Sequence, residues 1–339
     1  MSLDFLMHDL PLITITMGDP AGIGPEIILK SLLRDDIYQV CRPFVVGDTG
    51  VLRMISKRMG SFSFHVISNP LEATGKPGLI DVIPVSDLRK DSFIPGQPTL
   101  KGGKAMVDYI VKAVELNRGG QVSAMVTCPI NKELMHLAGY RFDGHTELLA
   151  HLTHSKDYVM MLAGNRLKVS LVTIHCALRE VAQRLNKELI LRTITITCRA
   201  LENDFAIIRP RIAVAALNPH VGESGLFGLE DKEIIRPAVE EARNDGLLVD
   251  GPFSADTIFY HAMNGRFDAV VAMYHDQGLI PLKLLHFSDA VNITLGLPLI
   301  RTSVDHGTAY DIAGKGVADP SSLVAAIKMA AKIARARGK

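Results

Sequence analysis

The chain contains no tryptophan, and its four cysteines (Cys41, Cys128, Cys176 and Cys198) form no Cys-x-x-Cys pair. The first absence excludes little. The second argues against both a disulfide framework and a zinc knuckle. Cys176 follows His175 directly and is a conceivable ligand, but on a strand the two would point to opposite sides, so it reads as structural. An excess of one charge is lacking too: the formal net charge is +1, so nothing draws the protein globally to nucleic acid or anionic lipid. No uncharged apolar run is long enough to span a bilayer. The start, Met1-Ser-Leu-Asp-Phe-Leu-Met-His-Asp9, carries acids and no basic stretch of the kind that opens a secretory signal. A cytoplasmic protein is expected.

What is present is a globular composition, 47% apolar over 339 residues. That length exceeds what one hydrophobic core usually supports, so two domains are expected. Leu12–Met17, Pro43–Gly47 and Ser123–Thr127 read as strands, and Lys104–Leu116 reads as an amphipathic helix. Helices are also expected over Asn186–Leu201, Asp231–Asp245 and Ser321–Arg337, the last with cations at its C-terminal end. Asn69–Leu100 is rich in Pro, Gly and Ser and reads as an irregular hairpin or excursion. Strands separated by helices indicate an α/β architecture with right-handed crossovers.

Between the first strand and the helical pattern Ile27–Leu33 lies Gly18-Asp-Pro-Ala-Gly-Ile-Gly-Pro-Glu26. Pro25 suits a first helical turn, and Glu26 suits the positive end of the helix dipole. The third glycine of a dinucleotide fingerprint is missing, so this is either a weak phosphate loop or a plain tight turn.

Three apolar runs each stop on a histidine: Val169 to His175, Ile212 to His220 and Ala269 to His275. Such runs read as strands buried on both faces of a parallel sheet, and ligands collect outside the carboxyl ends of such strands. If the strands are neighbours, three imidazoles converge, and three His with an open fourth position make a catalytic metal site. A capping or hydrogen-bonded structural role is the alternative for each His taken alone.

Polar residues crowd around and beyond the third run. Lys283, Asn292 and Arg301, interleaved with apolar residues, suit an anionic substrate, because Arg forks onto carboxylate or phosphate and Lys supplies a point charge. Asp256 and Asp276 are candidates for orienting a metal-bound His or taking a proton, or for capping a helix. In Gly144-His-Thr-Glu147, Thr146 fits an N-cap, and His145 at a helix start is placed to donate to an anion.

Taken together, Met17 to Glu26, Gly144 to Glu147, Leu217-Asn-Pro-His-Val-Gly-Glu223, Met273-Tyr-His-Asp-Gln-Gly278, and Val291 to Pro298 with Arg301 to Thr308 resemble the 4-hydroxythreonine-4-phosphate dehydrogenase family. The resemblance spans about residue 12 to about 335. His306 to Gly316 is similar to the cofactor-site motif of isocitrate and isopropylmalate dehydrogenases. It implies two α/β/α domains with a cleft between them. One, on the cofactor side, comprises residues 1–138 and 290–339; the other, on the metal and dimer side, comprises 139–289.

The resemblance also implies site residues. Metal ligands fall on His175, His220 and His275. Substrate contacts fall on His145, Thr146, Lys283, Asn292 and Arg301. The cofactor, NAD or NADP, would meet Gly296, His306 and Gly307. The catalytic proton acceptor stays open among Lys283, Asp256 and Asp276. A homodimer with the active site at its interface is implied, with a divalent ion (zinc, cobalt, magnesium or manganese). The expected reaction is oxidation of 4-phosphooxy-L-threonine at C3 followed by decarboxylation to 3-amino-2-oxopropyl phosphate, in pyridoxal phosphate biosynthesis. Family relatives acting on 4-phospho-D-threonate or 4-phospho-D-erythronate provide an alternative substrate. Readings of other classes are an acyl-phosphate transferase on a related fold and a catalytically silent metal-binding protein.

Overall fold

The structure is a computed structural model that describes residues 10–88 and 93–338. The acidic start Met1–Asp9 and part of the expected excursion lie outside the described residues. The chain divides into two compact units, Lys156–Gly296 and the remainder on either side of it.

The first unit is built on six strands: β1 (Leu12–Thr16), β2 (Arg42–Gly47), β3 (Ser63–Val66), β4 (Leu79–Pro84), β5 (Ala124–Thr127) and β12 (Arg301–Ser303). Their order is β3-β4-β2-β1-β5-β12, and every pairing is parallel. All five residues of β1 and all four of β5 are buried, which requires cover on both faces. The helices Leu100–Arg118 and Ser321–Ala336 supply part of it, packing on β1 and β5. β3, with no fully buried residue, is the edge.

The excursion expected over residues 69–100 is corrected here: it contains β4, a buried parallel strand between β2 and β3. Its flanking Pro and Gly residues mask a short apolar run. Strand order reverses between β1 and β5, a switch point where open parallel sheets form their ligand crevice at the carboxyl ends.

The second unit carries β6 (Val159–Ala163), β7 (Lys168–Leu171), β8 (Ile212–Ala215), β9 (Val249–Phe253), β10 (Ala269–Ala272) and β11 (Val291–Leu295), in the order β11-β6-β7-β10-β8-β9. The three strands expected to end near histidines, β7, β10 and β8, are consecutive neighbours and parallel. β6 is antiparallel to both β7 and β11, so the sheet is mixed rather than purely parallel.

One sheet face presents alternate residues: Met160 and Leu162, Val169 and Leu171, Ala213 and Ala215, Val270 and Ala272. These meet Ile258, Phe259 and Ala262 of the helix Ala255–Met263, and Leu279 and Leu282 of the helix His275–Leu285. Each fully buried aliphatic side chain there is worth about 1.5–3 kcal/mol. The expected helix at Asn186 runs Lys187–Asn203, with Asn186 as its cap accepting from Leu189 N. Among the described residues no helix is long and apolar enough to cross a membrane.

Candidate functional site

In the second unit, β7, β10 and β8 release their chains at one edge, and each carries its histidine a few residues beyond the strand. His175 lies on the exit of β7, His275 opens the helix His275–Leu285 after β10, and His220 lies on the exit of β8. The ring centroids of His175 and His275 are 5.8 Å apart. His275 Nδ1 is 2.7 Å from Asp276 Oδ1, which leaves Nε2 as the ring nitrogen that would face a cation. Cys176, expected on a strand, is on a bend beyond β7 and half-buried.

His220 stands differently. Residues His220, Val221, Gly222, Glu223 and Ser224 all have positive φ, from 42° to 74°, forming one left-handed turn. The left-handed region costs an L-residue about 1–2 kcal/mol, so the turn must be held. The buried carboxylate of Asp231 holds its base, accepting from Leu217 N at 2.8 Å, Asn218 N at 3.0 Å and Asn218 Nδ2 at 3.0 Å. Among the described residues no three His, Cys, Asp or Glu side chains gather into a cation-holding group. Within one chain the structure pairs His175 with His275 and leaves His220 on its own turn.

The exits are tied to one another by residues that sequence reasoning passed over. Buried Gln277 accepts from Met273 N at 2.7 Å and donates to Ala216 O at 2.7 Å, joining the ends of β10 and β8. Thr173 Oγ1 donates to Met273 O at 2.7 Å, joining β7 to the same point. Only the apolar context of Gln277 in the first turn of its helix signals such a role.

Asp256 is exposed in the first turn of Ala255–Met263, whose cap is Ser254, so it is not the N-cap. Lys283 is half-buried in the last turn of His275–Leu285. Asn292, on β11, keeps a buried Oδ1 that no hydrogen bond satisfies. At Gly296 φ is +85°, and a Cβ would stand 2.5 Å from Asp157 O. The close approach that requires glycine there is to the chain's own backbone. Ile280 and Leu284, one turn apart, and Phe287 just beyond are 61%, 83% and 84% exposed, an apolar row on the outer side of the His275 helix.

In the first unit, the helix His145–Thr153 starts after Gly144, which has no side chain to cap it. Thr146, expected as the cap, is the second helical residue and buried. No side chain of residue 144 caps this end of the helix. Arg301 is 3% exposed and donates from Nε at 3.1 Å and Nη2 at 2.8 Å to Thr127 Oγ1. Burial lowers its guanidinium to about 9. Burial, then the charges of Arg301 and Lys132, hold His145 well below the ordinary imidazole value, so the ring is neutral. Its Nε2 is buried and unsatisfied. The guanidinium is thus desolvated, with a neutral imidazole and the Glu147 carboxylate near it.

His306 and Gly307 follow β12 at the carboxyl edge of the first sheet. His306 Nδ1 lies 3.1 Å from Gly307 O, while its Nε2 is buried without a partner. Gly307 is exposed, with open space where a Cβ would be. The turn after β1 is not an open phosphate loop. A Cβ on Gly22 would stand 2.9 Å from Thr308 O, and Ile23 N donates to that same carbonyl at 2.9 Å. Pro25 does occupy the first helical turn, and Glu26 is buried beside it.

Comparison with known proteins sets these features in a family. The family model described as pyridoxal phosphate biosynthetic protein PdxA matches residues 39–330. The chain is 56% identical to the 4-hydroxythreonine-4-phosphate dehydrogenase of Desulforapulum autotrophicum, over 95% of both chains. It is 47% identical to the D-threonate 4-phosphate dehydrogenase of Cupriavidus necator, over 97% of this chain and 98% of the other. The crystal structure of 4-hydroxythreonine-4-phosphate dehydrogenase from Klebsiella pneumoniae superposes with a TM-score of 0.88 at 46% identity, covering 96% of this chain and 99% of that one. This chain is therefore an oxidoreductase of the dehydrogenase class and belongs to the PdxA family.

Proposed function

We propose that the protein oxidises the C3 hydroxyl of 4-phosphooxy-L-threonine, whose β-keto product loses its carboxylate as carbon dioxide to leave 3-amino-2-oxopropyl phosphate, in pyridoxal phosphate biosynthesis. The observation that carries this reading is the buried Arg301 guanidinium near the neutral His145 ring at the start of a helix. It suits a phosphorylated substrate, and the 56% identity to a named 4-hydroxythreonine-4-phosphate dehydrogenase supports the same substrate.

The residues divide the work. Arg301, His145 and Thr146 bind the phosphate or carboxylate, and Asn292 turns its unsatisfied Oδ1 to a substrate donor. The imidazole pair fits a divalent cation: His175 and His275 hold it, Asp276 fixes the His275 tautomer, and His220 completes the set from the same or the partner subunit. When bound, the cation supplies Lewis-acid polarisation and a nicotinamide supplies the two-electron acceptor. His306 and Gly307 hold the adenosine end of NAD or NADP. Asp276 is engaged with His275 and Asp256 is exposed; the hydroxyl proton passes to one of Lys283, Asp256 and Asp276. The exposed row Ile280, Leu284 and Phe287 supports assembly as a homodimer.

A second substrate reading, D-threonate 4-phosphate, has the 47% identity to the Cupriavidus enzyme behind it. The EutD phosphotransacetylase of Staphylococcus aureus shares the fold at 13% identity, which lends acyl-phosphate transfer no support beyond the fold. The deciding experiment is reduction of NAD and NADP against 4-phosphooxy-L-threonine, 4-phospho-D-threonate and 4-phospho-D-erythronate. Turnover confined to the first substrate is expected; turnover confined to either sugar acid replaces the reading, and no cofactor reduction with any ends it.

A further inference from the structure

The segment Asp305–Asp319 contains neither strand nor helix, yet it is held along its length by the turn and helix that follow β1. Tyr310 donates its hydroxyl to Asp19 Oδ2 at 2.6 Å and accepts from Asn131 Nδ2 at 2.8 Å. The other oxygen of Asp19 accepts from Ala21 N at 2.9 Å. Farther on, Glu26 accepts from Gly316 N at 3.1 Å and Ala318 N at 2.7 Å, while Lys30 donates to the carbonyls of the same two residues.

Asp19 and Glu26 are 0% and 1% exposed. Burial raises the Asp19 carboxyl, and the hydrogen bonds from Tyr310 and Ala21 pull it back. Burial also raises the Tyr310 hydroxyl, which makes it the donor of the pair. Buried carboxylates are poor sources of stability, because desolvation offsets most of what their partners return. What these two do accomplish is geometric: Asp19 fixes the irregular loop at Tyr310, and Glu26 fixes it near its far end. His306 and Gly307 lie at the start of that loop. A loop held in one geometry before binding spares the ligand the cost of ordering it.

We infer that Asp19, Tyr310 and Glu26 are positioning residues for the dinucleotide cofactor, acting through the loop that carries His306 and Gly307. The inference rests on the reading of those two residues as the cofactor's contact. It assigns the turn after β1 the task of clamping that loop, in place of binding phosphate itself.

The test compares Tyr310→Phe with the unaltered full-length enzyme. Dissociation constants for NAD and NADP are measured by calorimetry, steady-state constants with the phosphorylated substrate, and amide hydrogen exchange over residues 305–319 without ligand. Tyr310→Phe keeps the ring and removes the hydroxyl's hydrogen bonds to Asp19, Asn131 and Thr308. The cofactor Kd and KM should rise about tenfold, a loss on the scale of one hydrogen bond. Exchange in the loop should speed up, while kcat at saturating cofactor and the substrate KM hold. A Kd unchanged from the parent enzyme, or a fall in kcat alone, overturns the inference. Asn131→Ser keeps a helix-capping oxygen and drops only the donor to Tyr310. It should show a smaller rise of the same kind, and it decides the matter if Tyr310→Phe does not fold. Absence of saturable NAD or NADP binding by the unaltered enzyme sinks the cofactor reading, and this inference with it. A normal parent with an unaffected variant sinks the inference alone.

Discussion

His275 Nδ1 stands 2.7 Å from the carboxylate of its neighbour Asp276, at the first turn of a helix aimed from the edge of the sheet. The contact sets which ring nitrogen bears the proton, and so which one can meet a cation. Asp276→Asn should weaken Zn2+ or Co2+ binding by about 10–100-fold, the usual penalty for removing an outer partner of a metal-bound His. Calorimetric titration of the apo-protein measures it. Removal of metal by a chelator should abolish turnover, and added Co2+ should restore it. Near-normal turnover after chelation would remove the metal from the mechanism.

Arg301 yields a pH prediction. Burial lowers its guanidinium and the Glu147 carboxylate raises it, and a guanidinium keeps its proton across the working range. The substrate KM should therefore show no step from Arg301 around neutral pH. His145 is held neutral well below its ordinary value, so no step near pH 6.5 should come from it. Arg301→Lys keeps a charge and loses the fork to Thr127. At pH 7 it should cost about 1.5–3 kcal/mol in kcat/KM, the scale of a charged hydrogen bond.

The left-handed turn at His220 separates stability from function. Val221, β-branched, sits at φ 60°. Val221→Gly relieves about 1–2 kcal/mol of backbone strain against about 0.5–1 kcal/mol of added unfolded-state entropy. Thermal stability should hold or rise slightly while metal affinity falls, because the turn loosens. His220→Ala, at an exposed position, should abolish turnover and leave the melting temperature unchanged. A large loss of stability in His220→Ala would make that histidine structural.

Gln277 joins the ends of two strands through a single buried amide. Gln277→Leu should leave Met273 N and Ala216 O unsatisfied and cost about 1–3 kcal/mol for a stranded group. Denaturant unfolding measures the loss. Metal affinity should fall as well, since the exits of β8 and β10 are no longer held together. An unchanged midpoint would show that other groups hold the two ends.

Much of this molecule is legible along the chain. Runs such as Ile212–Ala215 and Ala269–Ala272 announce buried strands, because a strand covered on both faces can contain little but apolar residues. Parallel strands share one direction, so residues placed after their carboxyl ends come to one edge whatever their separation in sequence. That is why the sequence points to His175 and His275 as neighbours, and their ring centroids lie 5.8 Å apart. Tertiary structure decided the remainder. Strand direction for β6 and β11 depends on pairing partners, and β4 is apolar for too short a stretch to stand out from its prolines and glycines. Whether His220 joins its fellows depends on five backbone torsions and on Asp231, fourteen residues beyond the Leu217 amide it accepts from. Periodicity reports which side of an element is buried, and side-chain type reports what chemistry is available. Only the folded backbone sets distance and aim, since both arise from contacts among residues that the sequence keeps far apart.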